Sequence, residues 1–219
     1  GLIQSKYRNA GQTCVCTNRI LVHEAVHDEF VSIYQDKVAR LTLGNGLDEN
    51  TDIGPMIHPQ ASQNVHNMVK DALDKGATLL LGGTPATENN IYPPTLLTHV
   101  TPEMRVFREE IFGPVLVIIR SQSVDEAIDI ENNSDYGNGA AVFTQNGKAA
   151  RYVQSKLSSG MVGINIGVPV PREPFSFGGW NESKFGAGDI TGKSSIHFWT
   201  QLQKTTTKWN PEDKKDWMS

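Results

Sequence analysis

Strand-type and helix-type spacing alternate along this chain. Ile20-Leu21-Val22 is a β-rich run, and behind it Val26, Phe30, Ile33, Tyr34, Val38 and Leu41 recur at helical intervals. That pattern predicts a strand over residues 18–23 and a helix over 24–41. Residues 45–55 are rich in Gly, Asn and Asp and read as a loop. A second amphipathic helix is predicted over 59–75, stopping near Gly76, with a short strand over 78–81 closed by Gly82-Gly83. Residues 92–100 are extended but broken by Pro93-Pro94, and the continuous apolar run 115–120 reads as a buried central strand. Ser123 is placed to cap a helix over 123–132, with Glu126 three residues on as its capping-box partner. A strand over 139–143, a helix over 148–156 and a strand over 160–166 follow. The alternation predicts an α/β fold with a doubly wound, mostly parallel sheet. Residues 198–209 differ, because Thr, Gln and Lys alternate there with few residues of buried type. Residues 194–209 are therefore expected to form a strand that pairs with another subunit, and 210–219 a charged tail. The expected division is a domain over 1–193 and an oligomerisation strand with its tail over 194–219.

The chain has 219 residues, enough to bury a sizeable core. A net charge of −4 with scattered Lys and Arg argues against nucleic acid or an anionic membrane as partner. No apolar run reaches bilayer-spanning length. Gly1-Leu2-Ile3-Gln4-Ser5-Lys6 has neither a Met nor the pattern of a secretion signal, and it reads as the middle of a helix, so the chain is expected to be a fragment. Cys14 and Cys16 are the two cysteines, which excludes a disulfide framework; a cytoplasmic location is expected, and a mitochondrial matrix is equally compatible. No metal site is expected.

The candidate chemistry starts at Tyr7-Arg8-Asn9-Ala10-Gly11-Gln12-Thr13-Cys14-Val15-Cys16-Thr17-Asn18. An isolated cysteine in an α/β protein is more often a small buried hydrophobe than a nucleophile. Here Gly, Gln, Thr and Asn surround it, which places the thiol on an exposed turn. The block resembles the active-site cysteine signature of NAD(P)-dependent aldehyde dehydrogenases, and the resemblance implies that Cys14 is the nucleophile. A thiol suits that chemistry because an aldehyde has no leaving group. Adding a thiolate makes the carbonyl carbon tetrahedral, so that hydride can leave and a thioester remain. The resemblance also implies that the Cys14 N–H helps hold the oxyanion.

Arg108-Glu109-Glu110-Ile111-Phe112-Gly113-Pro114-Val115 resembles the Glu-x-Phe-Gly-Pro motif of the same family. The resemblance implies that Glu110 bonds the nicotinamide ribose of NAD or NADP and that Phe112 lies against the nicotinamide. An acceptor-only carboxylate suits a ribose diol; the plainer reading is a solvated loop leading into a strand. Phe175-Ser176-Phe177-Gly178-Gly179-Trp180-Asn181-Glu182-Ser183-Lys184 resembles the family's Pro-Phe-Gly-Gly block, which puts Phe177 at the substrate tunnel. Ser176 replaces the usual Pro, and Phe185-Gly186-Ala187-Gly188-Asp189 departs from the family's usual ending.

Two branches contribute to the resemblance. Asp135-Tyr136-Gly137-Asn138-Gly139, Val168-Pro169-Val170-Pro171 and Phe175-Ser176-Phe177 look like methylmalonate-semialdehyde dehydrogenases. Arg8 through Asn18, with its Cys-x-Cys, looks like succinate-semialdehyde dehydrogenases. The latter branch implies that Arg8 binds the distal carboxylate of a short semialdehyde, against a plain surface arginine, and that Cys16 is a redox partner of Cys14, against a small packed residue. The family's dinucleotide-binding domain, its general-base glutamate and its oxyanion asparagine precede the cysteine and find no match here. Hydrolysis and transfer of the acyl group to coenzyme A therefore both stay open, as does a non-catalytic assembly module. A homo-oligomer, dimer or tetramer, acting on a small aldehyde is the expected whole.

Overall fold

The computed structural model describes residues 1–86 and 89–209. A short helix α1 (Leu2–Tyr7) leads through a 3-10 turn (Arg8–Gly11) into β1 (Arg19–His23), α2 (Glu24–Val38), α3 (Pro59–Asp74), β2 (Thr78–Leu81) and β3 (Thr95–Thr98). Then come α4 (Arg105–Arg108), β4 (Val115–Ser121), α5 (Val124–Asn132), β5 (Tyr136–Gly137), β6 (Gly139–Val142), α6 (Gly147–Lys156), β7 (Met161–Ile164), β8 (Trp180–Asn181) and α7 (Ser195–Trp199).

The main sheet runs β1-β4-β3-β2, with β1 and β3 parallel to β4 and only β2 antiparallel. β4 is the strand whose every residue from Val115 to Ile119 is buried, so both faces of the sheet are covered there. Its apolar run packs with Leu96 and Leu97 of β3, Tyr34 and Val38 of α2, and Val65, Met68, Val69 and Ala72 of α3 into one core. This is the α/β, doubly wound, parallel-dominated architecture expected from the alternation. The sheet is not continuous, however. β6 pairs in parallel with β7, and β5 antiparallel with β8, as separate two-stranded pieces.

Local signals act largely as read. Ser123 Oγ accepts from the Glu126 N–H at 3.1 Å. The reciprocal half of the box lands one residue earlier, because the Glu126 carboxylate takes the Gln122 N–H at 2.5 Å. Tyr34 and Val38 face the core from α2, whereas Val26 and Ile33 of the same periodic stripe are exposed. Residues 194–209 do not form one strand. Ser195–Trp199 is helical, and 200–209 run exposed without a ladder to any described residue. Ser194 Oγ is tied to Ser176 Oγ at 2.7 Å, and Ser195 Oγ donates to the Gly192 carbonyl at 2.7 Å, so local hydroxyl bonds carry this stretch into a turn and helix. The charged tail from residue 210 lies outside the described residues.

Candidate active site

Three consecutive residues in left-handed conformation, Asn9 (φ 50), Ala10 (φ 54) and Gly11 (φ 75), reverse the chain between α1 and the cysteine. Such backbone is costly outside glycine, and side-chain bonds hold it. Asn9 Nδ2 donates to the Gln12 carbonyl at 3.0 Å, Gln12 Nε2 returns to the Asn9 carbonyl at 3.1 Å, and Gln12 Oε1 accepts the Ile57 N–H at 2.9 Å. The next residues close a turn in which the Cys16 N–H donates to the Thr13 carbonyl at 2.9 Å. Cys14 sits in the corner of that turn, exposed and free; Cys16 is half-buried, also free, with its thiol 3.8 Å from the Arg8 carbonyl. Ser5, fully buried in α1, donates to the Gly167 carbonyl at 2.6 Å. Its single proton is thereby used, so Thr17 is the donor in the 2.6 Å bond between the two hydroxyls, and the far side of the turn is fixed.

Asn18 connects this turn to the Glu110 loop. Its Nδ2 donates to the Glu109 carbonyl at 3.0 Å, and its Oδ1 accepts the Ile111 N–H at 3.2 Å. The two peptide units flanking Glu110 are thus held by one side chain. Burial pushes the Glu110 carboxyl up from the ordinary glutamate range, while the Lys6 ammonium pulls it down. Lys6 is 1% exposed, and burial lowers it to about 8 against the opposing attraction of Cys16 and Glu110. Phe112, beyond the clamp, adopts φ 50 and is 45% exposed.

Cys14, Cys16, Glu110 and Phe177 border one open cavity of about 1100 Å³, whose walls include all of β1 and β6. Arg8 and Phe112 do not border it. Arg8 is exposed where α1 ends. Four of the six candidate residues thus share one cavity and two lie outside it. Not singled out from the sequence are Lys6, Asn18 and Asn138, whose Nδ2 donates to the Cys14 carbonyl at 2.8 Å. Asn18 and Asn138 lie inside family-like motifs, but their partners are 91 to 124 residues away. Among the described residues no helix is long and apolar enough to cross a membrane, and no group of three or more His, Cys, Asp and Glu is arranged to hold a metal ion.

The exposed Cys14 thiol thus stands at the corner of a tight turn just ahead of β1, on the same cavity as Glu110. The chain belongs to the aldehyde dehydrogenase family, whose model matches residues 1–205. It is 37% identical over 214 residues to a malonate-semialdehyde dehydrogenase of Bacillus velezensis, covering 97% of this chain and 44% of that protein. Among solved structures, succinate-semialdehyde dehydrogenase from Burkholderia pseudomallei superposes with a TM-score of 0.84 at 38% identity, covering 90% of this chain and 40% of that one. A Sinorhizobium meliloti protein solved with NAD, assigned as a methylmalonate-semialdehyde dehydrogenase, gives 0.89 at 33%, covering 98% and 45%. The chain thus spans less than half the length of these relatives.

Proposed function

We propose that this chain is the nucleophile-bearing part of an NAD(P)-dependent dehydrogenase that oxidises a short semialdehyde to its acid. The observation that carries the reading is the placement of Cys14, exposed at the corner of a braced turn, on the same cavity as Glu110 and Phe177. The Cys14 thiolate adds to the aldehyde carbon, forming the C–S bond and an alkoxide that a backbone N–H such as that of Cys14 would stabilise. That carbon then gives up hydride with its electron pair, which leaves a thioester on Cys14. When bound, the nicotinamide supplies the two-electron acceptor for that hydride. Glu110, acceptor-only and held by Asn18, fits a ribose diol, and the outward ring of Phe112 offers a flat apolar face to a nicotinamide. Water then releases the acid. The similarity to malonate- and methylmalonate-semialdehyde dehydrogenases is compatible with a second route for this last step, transfer of the acyl group to coenzyme A.

In a complete dehydrogenase carrying this segment, Cys14→Ala is expected to abolish NADH formation from succinic or malonic semialdehyde, and its retention would reject the reading. Acid formation with and without coenzyme A separates the two release steps. The chain by itself is expected to make no NADH, since positioning of reactants accounts for roughly 7–11 kcal/mol of such a barrier.

A further inference from the structure

We infer that Asn138 is a positioning residue for the Cys14 nucleophile, its side-chain amide fixing the Cys14 carbonyl from across the fold. The inference rests on the proposed role of Cys14 and adds a residue that role does not itself require.

The corner of the Thr13–Cys16 turn is exposed, and the turn's own hydrogen bond, from the Cys16 N–H to the Thr13 carbonyl, spans the cysteine without touching its peptide groups. The bond that reaches Cys14 from a distant element is the one from Asn138 Nδ2 to its carbonyl, 2.8 Å long and linking positions 124 residues apart. A peptide carbonyl only accepts, so the amide must turn its NH2 toward Cys14, and the Asn138 oxygen faces the other way. On that other side lies Gly179, where a Cβ would come within 3.0 Å of Asn138 Cα and 3.2 Å of its Oδ1. Only a residue without a side chain lets the backbone sit there. The strand before Asn138 is anchored as well: Gly137 pairs with Trp180, and its N–H donates to Ser183 Oγ at 3.2 Å. Asn138 is thus backed by the Gly178-Gly179 segment and carries a single directed contact, onto the residue that bears the thiol.

The chemical consequence follows from the dihedrals. Holding the Cys14 carbonyl fixes rotation about its Cα–C bond and so the plane of the Cys14–Val15 peptide. Through the turn it also fixes the direction in which the thiol and the Cys14 N–H face. Misplacing a reacting group by about 1 Å can cost on the order of a hundredfold in rate. Leucine at this position keeps the branching at Cγ and removes the donor. Aspartate turns a carboxylate toward the same carbonyl and sets a negative charge beside the thiol, which disfavours the thiolate.

The test has two arms. In a complete dehydrogenase carrying this segment, Asn138→Leu is expected to lower kcat by about tenfold or more, with the aldehyde KM, the cofactor Kd and the melting temperature little changed. In the chain itself, with Cys16→Ser to leave one thiol, the rate of Cys14 alkylation by iodoacetamide is followed against pH. Asn138→Asp is expected to move the midpoint upward, a signature that loss of stability would not give. A kcat for Asn138→Leu within about twofold of the parent, or an unmoved alkylation midpoint in Asn138→Asp, overturns the inference. Activity surviving in Cys14→Ala would instead remove the reading it rests on, so the two failures are distinct.

Discussion

Gly11 lies flat against the carbonyl of Gly113, and a Cβ at Gly11 would collide with that carbonyl and approach the Pro114 nitrogen to 3.1 Å. The contact joins the cysteine motif to the Glu110-Ile111-Phe112-Gly113 motif, so two segments about a hundred residues apart share one backbone junction. Gly11 also has φ +75, a conformation that resists any side chain. Gly11→Ala is therefore expected to destabilise the chain by about 2–4 kcal/mol, from overpacking together with left-handed strain. Urea unfolding measures it, and a loss below about 0.5 kcal/mol would show that the junction yields without cost.

Asn18 holds both peptide units beside Glu110, and removing it leaves the Glu109 carbonyl and Ile111 N–H to find water. In a complete dehydrogenase carrying this segment, Asn18→Ala is expected to raise the cofactor Kd by roughly five- to thirtyfold, the equivalent of one or two hydrogen bonds. The aldehyde KM should stay nearly constant. Titration calorimetry reads the first and steady-state kinetics the second.

Much of this arrangement is written in the sequence, and the remainder is hidden for identifiable reasons. Val115-Leu116-Val117-Ile118-Ile119 declares a strand buried on both faces because no polar residue interrupts it, and Ser123 declares a helix start through chemistry confined to four residues. Cys14 is legible from the small and polar residues around it. The left-handed run is not, since Asn9 and Ala10 are ordinary residues whose conformation is imposed by bonds from Gln12 and packing at Gly113. Asn18 and Asn138 act on partners remote in the chain, and periodicity carries no information at that range. Lys6 is hidden for the opposite reason: lysine is read as a surface residue, and here it is buried. The polar stretch from residue 194 was expected to be a strand because its composition avoids a core, but composition alone did not register the hydroxyl bonds that turn its start into a helix.

The burial of Lys6 makes stability depend on pH. Its ammonium loses protons at about 8 in the folded chain and at 10.5 when unfolded, so between those values the unfolded state binds more protons and stability rises with pH. A shift of that size corresponds to roughly 3 kcal/mol. Above about pH 10 the buried Tyr7, Tyr34 and Tyr92, all pushed upward by desolvation, act in the opposite sense. Unfolding free energy measured from pH 7 to 10 should climb, and Lys6→Met should flatten the climb. An identical slope in that variant would assign it elsewhere.

Arg8 stands exposed where α1 ends, with its guanidinium available to a carboxylate. Arg8→Ala in a complete dehydrogenase carrying this segment is expected to reduce kcat/KM for succinic or methylmalonic semialdehyde by at least about tenfold more than for propanal, as fits loss of a charge-assisted bond. Equal losses on charged and uncharged aldehydes would make Arg8 structural.

Cys16 lies two positions from Cys14, and both thiols are free. A disulfide across so small a ring needs Cβ atoms about 3.5–4.5 Å apart, so the turn must rearrange, and the strained bond is easily reduced. Peroxide should inactivate the enzyme reversibly through that bond, with dithiothreitol restoring activity. Cys16→Ala should make the loss slower or irreversible, and unchanged inactivation and recovery would reduce Cys16 to packing.

The outer flank of β1 has a consequence for how the chain behaves in solution. Among the described residues β1 pairs only with β4, and β6 only with β7, while both border the same cavity. Ile20, Leu21 and Val22 offer that flank no charge and no proline to discourage a neighbour. A strand lying parallel to β1 would have to come from a segment remote in sequence or from another molecule, because a tight hairpin delivers only antiparallel neighbours. Colloidal behaviour is thereby tied to this seam. A strand aligned along it would convert an adhesive border into sheet interior; without one, copies of the chain are expected to associate as their concentration rises, which light scattering over a dilution series reads.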